Sequence, residues 1–129
     1  MQEYFSTLIG KLSAIYKQPN ITILLSIDSS IELKPKIARS CAKILHEALT
    51  NTFKYAYGKE GGEASVELQK EERYYIFTII DRGKGIDKIR EGARGLLLIE
   101  EIVNYELNGS VEIDSFNGVK ITIRWQENE

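Results

Sequence analysis

The chain has 129 residues, 43% of them hydrophobic and 28% charged, which suits one compact domain able to bury about two thirds of its unfolded surface. Seventeen basic against nineteen acidic residues leave a net charge of -2 with no Lys/Arg block, which sets a nucleic-acid partner aside. No apolar run approaches the ~18 residues of a membrane span, the opening Met1-Gln2-Glu3-Tyr4 lacks the regions of a signal peptide, and a lone Cys41 excludes an internal disulfide, so a reducing, cytoplasmic setting without membrane contact is expected.

From Tyr4 to Tyr16 the residues Phe5, Leu8, Ile9, Leu12, Ile15 and Tyr16 keep helical spacing, predicting an amphipathic helix whose apolar face needs a partner, inside this chain or beyond it. Gln18-Pro19-Asn20 breaks it, and the β-branched run Ile21 to Ile27 predicts a strand bounded by Asp28-Ser29-Ser30. Pro35 suits the first turn of a long helix that runs to about Tyr57, stopped by Gly58 and Gly61-Gly62. Val66 to Gln69 alternates, Glu71-Glu72 turns, and Tyr75 to Ile80 reads as the second strand of a hairpin closed by Asp81. Helical spacing returns from Leu96 to Leu107 and ends at Asn108-Gly109, and strands Ser110 to Asp114 and Val119 to Trp125 flank the turn signal Asn117-Gly118. That order predicts an α/β (α+β) two-layer sandwich, with a mixed, mostly antiparallel sheet and helices on one face.

Three stretches carry chemistry. On the long helix, Cys41, Ile44, Leu45, Ala48, Leu49, Thr52 and Ala56 share an apolar arc at about 100° per residue, while Glu47, Asn51, Lys54 and Gly58 line its edge. An acid, an amide and a cation at that spacing can face one ligand: the two oxygen donors suit magnesium and the ammonium suits phosphate. Taken alone, the stretch reads first as an ordinary amphipathic helix with a solvated polar edge. Second, Asp81-Arg82-Gly83-Lys84-Gly85-Ile86 follows a buried strand, so two glycines can bring backbone close to a flat ligand and Asp81 can accept from adenine's amine while repelling guanine's carbonyl. Its simpler reading is a turn in which Asp81 bonds its own backbone. Third, Gly92-Ala93-Arg94-Gly95-Leu96 opens a predicted helix, where free N–H groups suit phosphate, although a plain turn before a helix would look the same. No Walker-type loop is present.

Together E-x-x-x-N-x-x-K, D-x-G-x-G and G-x-x-G-L resemble the catalytic ATP-binding domain of sensor histidine kinases, within the superfamily that includes DNA gyrase, MutL and the large heat-shock chaperone ATPases. The resemblance runs from about Ile21 to Trp125. It implies the Bergerat-type fold and a division into residues 1–18, a helical junction from an absent dimerisation region, and residues 19–129, the catalytic domain.

Residue by residue, the resemblance implies that Asn51 binds Mg2+ with Glu47 in the metal shell or acting as a base, that Lys54 contacts phosphate, and that Tyr55 lies against the nucleotide. Asp81 would read adenine, Gly83 and Gly85 would shape the base pocket, Ile86 would form part of its wall, and Gly95 with Leu96 would offer N–H groups to the phosphates. Arg94 departs from the usual Leu or small residue and would either reach the phosphates or obstruct the loop. Gly118-Val119 stands where Gly-Thr is familiar, removing a hydroxyl near the adenine pocket. The segment between Ile86 and Gly92 resembles a short nucleotide lid.

The implied function is transfer of the γ-phosphoryl of ATP to a histidine outside this chain, on a dimerisation helix of the parent protein, with a response regulator downstream. His46 shares a helix with the nucleotide site, so it is not the expected acceptor. An anti-sigma-factor serine kinase and a degenerate nucleotide-binding docking module are the alternatives.

Overall fold

In the computed structural model, which describes residues 1–58, 60–83, 89–115 and 117–126, with only the backbone of 89–94, the expected element order is found. It runs α1 (Gln2–Tyr16), β1 (Ile21–Ile27), α2 (Pro35–Asn51), β2 (Gly62–Glu71), β3 (Tyr74–Asp81), α3 (Ile89–Ile102), β4 (Ser110–Asp114) and β5 (Val119–Gln126). The strands form one five-stranded sheet in the order β1-β2-β3-β5-β4. Among the described residues only β1 and β2 pair in parallel, so the α+β class and the mostly antiparallel sheet are as expected.

Alternation decides which sheet face is covered. Ala64, Val66 and Leu68 of β2, Tyr75, Phe77 and Ile79 of β3, and Ile121, Ile123 and Trp125 of β5 are all buried, while Glu67, Lys120 and Arg124 between them are not. Against that face lie Cys41, Ile44, Leu45, Ala48 and Leu49 of α2, with Ile99 and Ile102 of α3. The apolar arc read from the sequence of α2 is thus the arc it buries.

The apolar face of α1 finds its partner within this chain. Phe5 and Leu12 belong to the same buried cluster, and Phe5 stacks on Phe77 with ring centroids 6.0 Å apart. Burying two such side chains contributes on the order of 2 kcal/mol each, which anchors the helix.

Two helix ends differ from expectation. After Asn51 the long helix continues as a π-helical turn, Thr52–Ala56, and α3 ends in another, Val103–Leu107. A π-turn bonds i to i+5 and so takes up one extra residue, which shifts the facing of whatever follows. Helix α3 also begins at Ile89, seven residues before the expected Leu96. Gly92 and Gly95 therefore lie inside a helix that tolerates them, at a cost of about 1 kcal/mol each relative to Ala.

Register places one functional group at the sheet's end. Asp81, the last residue of β3, pairs with Ala64 on one side and Val119 on the other, so its backbone is held between two strands.

Candidate functional site

Asp81 is 7% exposed and points inward below the C-terminal end of α2. Its Oδ1 accepts from the backbone N–H of Gly83 (3.1 Å) and of Val119 (3.2 Å), and its Oδ2 accepts from the Thr52 hydroxyl at 3.2 Å. Burial pushes its carboxyl above the usual carboxylate range, against the opposing pull of these hydrogen bonds. The turn after it is tight: a Cβ on Gly83 would overlap the Ala56 carbonyl at the end of the π-turn, so only glycine lets the two segments meet. Gly118, with φ +111°, lets the β4–β5 turn pass the Asp81 carbonyl.

Tyr57 holds the same turn from outside. Its hydroxyl donates to the Glu63 carbonyl and accepts from the Arg82 N–H at 2.8 Å, tying the start of β2 to the residue after Asp81.

Farther back along α2, Glu47 and Asn51 converge on α3. A Cβ at Gly95 would stand 3.2 Å from Glu47 Oε2 and 3.4 Å from Asn51 Nδ2, so α3 approaches these groups through a residue without a side chain. The Nδ2 of Asn51 and the Oγ1 of Thr50 are buried without a hydrogen-bond partner among the described residues. An unpaired buried group costs about 1–3 kcal/mol, so a ligand that pairs the Asn51 amide recovers that energy on binding.

The pair fits magnesium as a donor set. One amide oxygen and one carboxylate are hard donors, and magnesium takes few protein ligands and completes its shell with phosphate oxygens and water. His46 stands outside this pair, half exposed, with Nδ1 3.7 Å from Glu47 Oε1.

Lys54 does not join Glu47 and Asn51. Its Nζ lies 5.7 Å from the centre of the Tyr16 ring, at the end of α1, and Tyr16 in turn stacks on Phe53 at 6.2 Å. The reason is the π-turn: Lys54 lies within it, so the helical phase that aligned three groups on one edge no longer applies. Tyr55 is half-buried.

Gly95 and Leu96 also depart from expectation. The N–H groups left without intrahelical acceptors are those of a helix's first turn, and α3 starts at Ile89, so these two lie beyond it. Gly85 and Ile86, and the short segment expected to act as a lid up to residue 88, lie outside the described residues, as does the Arg94 side chain.

Two residues of this site escape the sequence reading. Thr52 falls on the apolar arc of α2, and its signal is that a hydroxyl on a buried arc needs a partner. Tyr57 carries no such signal, because its two partners come from β2 and the segment after β3.

A family model described as histidine kinase-, DNA gyrase B-, and HSP90-like ATPase matches residues 37–129. No curated protein matches the chain. Among solved structures, the histidine kinase domain of the Erythrobacter litoralis EL346 blue-light activated histidine kinase superposes with a TM-score of 0.81 at 18% identity, over 96% of this chain and 59% of that one. The Acinetobacter baumannii histidine kinase AdeS superposes with a TM-score of 0.73 at 18% identity, over 97% of this chain and 66% of that one. The mycobacterial sensor histidine kinase MprB gives 0.70 at 17% identity, over 98% and 93%. This chain thus spans less than two thirds of the length of the first of these.

Proposed function

The chain belongs to the histidine kinase-, DNA gyrase B-, and HSP90-like ATPase family, and from that premise we propose that it is the ATP-binding catalytic domain of a two-component sensor histidine kinase. The observation that carries the reading is the buried Asp81, fixed at the end of β3 by two backbone N–H groups and one hydroxyl. A carboxylate so held offers an acceptor to adenine's exocyclic amine and repels a carbonyl in the same place.

The phosphates would then run along α2 toward Glu47 and Asn51. Asn51 and Glu47 would hold a magnesium ion, which supplies charge neutralisation to the transferring phosphoryl group when bound. Gly95, with Leu96 beside it, keeps α3 close without a side chain in the way, and Tyr55 lines the path from the half-buried side of the π-turn. Lys54 reaches the phosphates by leaving the Tyr16 ring, a contact of about 0.5–1 kcal/mol at an exposed site. Gly83, Gly85, Ile86 and Arg94 complete the proposed binding set.

Catalysis in such a domain is positioning and charge neutralisation rather than covalent chemistry by the protein. The acceptor is a histidine of the parent protein on a dimerisation helix, and a response regulator receives the phosphoryl group. His46, on the helix that carries the metal-binding pair, does not serve. Residues 1–18 would join the catalytic domain to the helices that carry the acceptor, in the cytoplasm.

Calorimetric titration with a non-hydrolysable ATP analogue, with and without magnesium, tests this reading. Binding that needs magnesium and weakens in Asp81→Asn is expected. A folded native protein that binds no nucleotide would move the function to a docking module.

A further inference from the structure

The carboxylate of Asp81 has two oxygens and about four acceptor positions. Among the described residues, Oδ1 takes the N–H groups of Gly83 and Val119 and Oδ2 takes the Thr52 hydroxyl, so one position is left, on Oδ2. Val119 supplies only its backbone N–H, which leaves Thr52 as the side chain that holds the second oxygen.

Thr52 is 2% exposed, and its hydroxyl stands 3.2 Å from both Asp81 Oδ2 and the Ala48 carbonyl. One proton serves one acceptor at a time. The carboxylate is the stronger, because a hydrogen bond to an ionised acceptor is about twice as strong as one to a neutral carbonyl.

We propose that Thr52 is the positioning residue that gives the pocket its preference for adenine over guanine, an inference that rests on the nucleotide-binding reading of Asp81. With Oδ2 tethered, its single open position accepts an amine and has no proton to give to a carbonyl. Without the hydroxyl, buried Oδ2 loses the donor that favours its ionised form, so the carboxyl takes a proton more readily and, once protonated, donates to a guanine carbonyl, and discrimination falls. The location of Thr52 suits this role. It opens the π-turn, and its N–H is shared between the Ala48 and Leu49 carbonyls, so its backbone is held at the junction where the hydroxyl turns toward β3.

The test is the affinity ratio of ATP and GTP analogues for the 129-residue chain, measured for the native protein, Thr52→Val, Thr52→Ser and Asp81→Asn. Thr52→Val keeps the shape and removes the hydroxyl, and is expected to lower the ATP preference about tenfold, the equivalent of one lost hydrogen bond to a charged group. Thr52→Ser keeps the hydroxyl and is expected to retain the preference within about twofold. A folded Thr52→Val with the native ratio overturns the inference, as does a Thr52→Ser that loses the preference. Should Thr52→Val fail to fold, Thr52→Ala, which also removes the hydroxyl, replaces it, with the same expected fall and the same overturning result. If Asp81→Asn weakens ATP binding while Thr52→Val keeps the ratio, only the role of Thr52 falls. If Asp81→Asn leaves ATP binding unchanged, the base-site reading falls and this inference with it.

Discussion

At the Asp81 end of the candidate site the carboxylate is held by groups of the protein itself, whereas at the Glu47–Asn51 end buried polar atoms have no partner among the described residues. Asp81 takes two backbone N–H groups and a hydroxyl, and the turn beside it is closed by Gly83 against Ala56 and by Tyr57 against Arg82. At the other end the Asn51 Nδ2 and Thr50 Oγ1 are buried without partners among the described residues, and Lys54 rests on an aromatic ring. The difference suits the proposed occupant of each end. A flat base is chosen by fixed acceptors, which must be rigid before it arrives, while a charged metal–phosphate group can compensate for the unpaired groups it finds.

The sharpest break of this contrast is Asn51→Ala, which removes one of the two oxygen donors at the open end. Magnesium-dependent binding of an ATP analogue should fall by at least about hundredfold, with no loss of thermal stability, since an unpaired buried amide goes with it. Equal affinity in calorimetry would reject the metal assignment. At the closed end the largest effect is on folding: in Gly83→Ala the new methyl meets the Ala56 carbonyl, and a loss of about 3 kcal/mol in urea unfolding is expected. A loss under about 1 kcal/mol would mean that the closure is loose.

Asp81→Asn separates binding from stability at that same end. Because burial raises the Asp81 carboxyl in the folded state, the folded protein binds a proton more readily than the unfolded chain over the interval from about 4 up to the raised value. The contribution of this group to stability is therefore full below that interval and is lost as pH rises through it. Unfolding free energy against pH should lose this downward component in Asp81→Asn, while ATP binding weakens about tenfold. A variant with the native pH slope would show that burial at Asp81 exacts no cost.

The smallest effect belongs to Tyr16→Leu, which removes the ring beneath Lys54. Losing a contact of at most about 1 kcal/mol should raise affinity for the ATP analogue about twofold. Unchanged or weaker binding would mean that Lys54 does not need to leave Tyr16.

How much of this was legible varies by residue. Strand Ile21–Ile27 and the start of α2 at Pro35 fall where the sequence places them, because β-branched runs and proline act through local sterics. The Glu47–Asn51 pairing was legible too, since both residues precede the π-turn and the period of 3.6 still holds there. The position of Lys54 was not, because a π-turn is stabilised by packing rather than by a residue signature, as where Gln18 Nε2 donates to the Phe53 carbonyl from the far end of α1. The start of α3 is not legible, because Gly92 and Gly95 look like a loop, while the contact of Gly95 with α2 favours a glycine-bearing helix there.

By itself the sequence determined the order of eight elements, the arc that α2 buries and the presence of a carboxylate at a strand end, all consequences of side-chain period and backbone sterics within about fifteen residues. Only the tertiary structure decided that β1 runs parallel to β2, that α1 lies on this chain's own core, and that Thr52 meets Asp81 across 29 positions. Those contacts join residues far apart in the chain, and their selection rests on which surfaces pack together while leaving few buried polar groups unpaired, a condition no local pattern encodes.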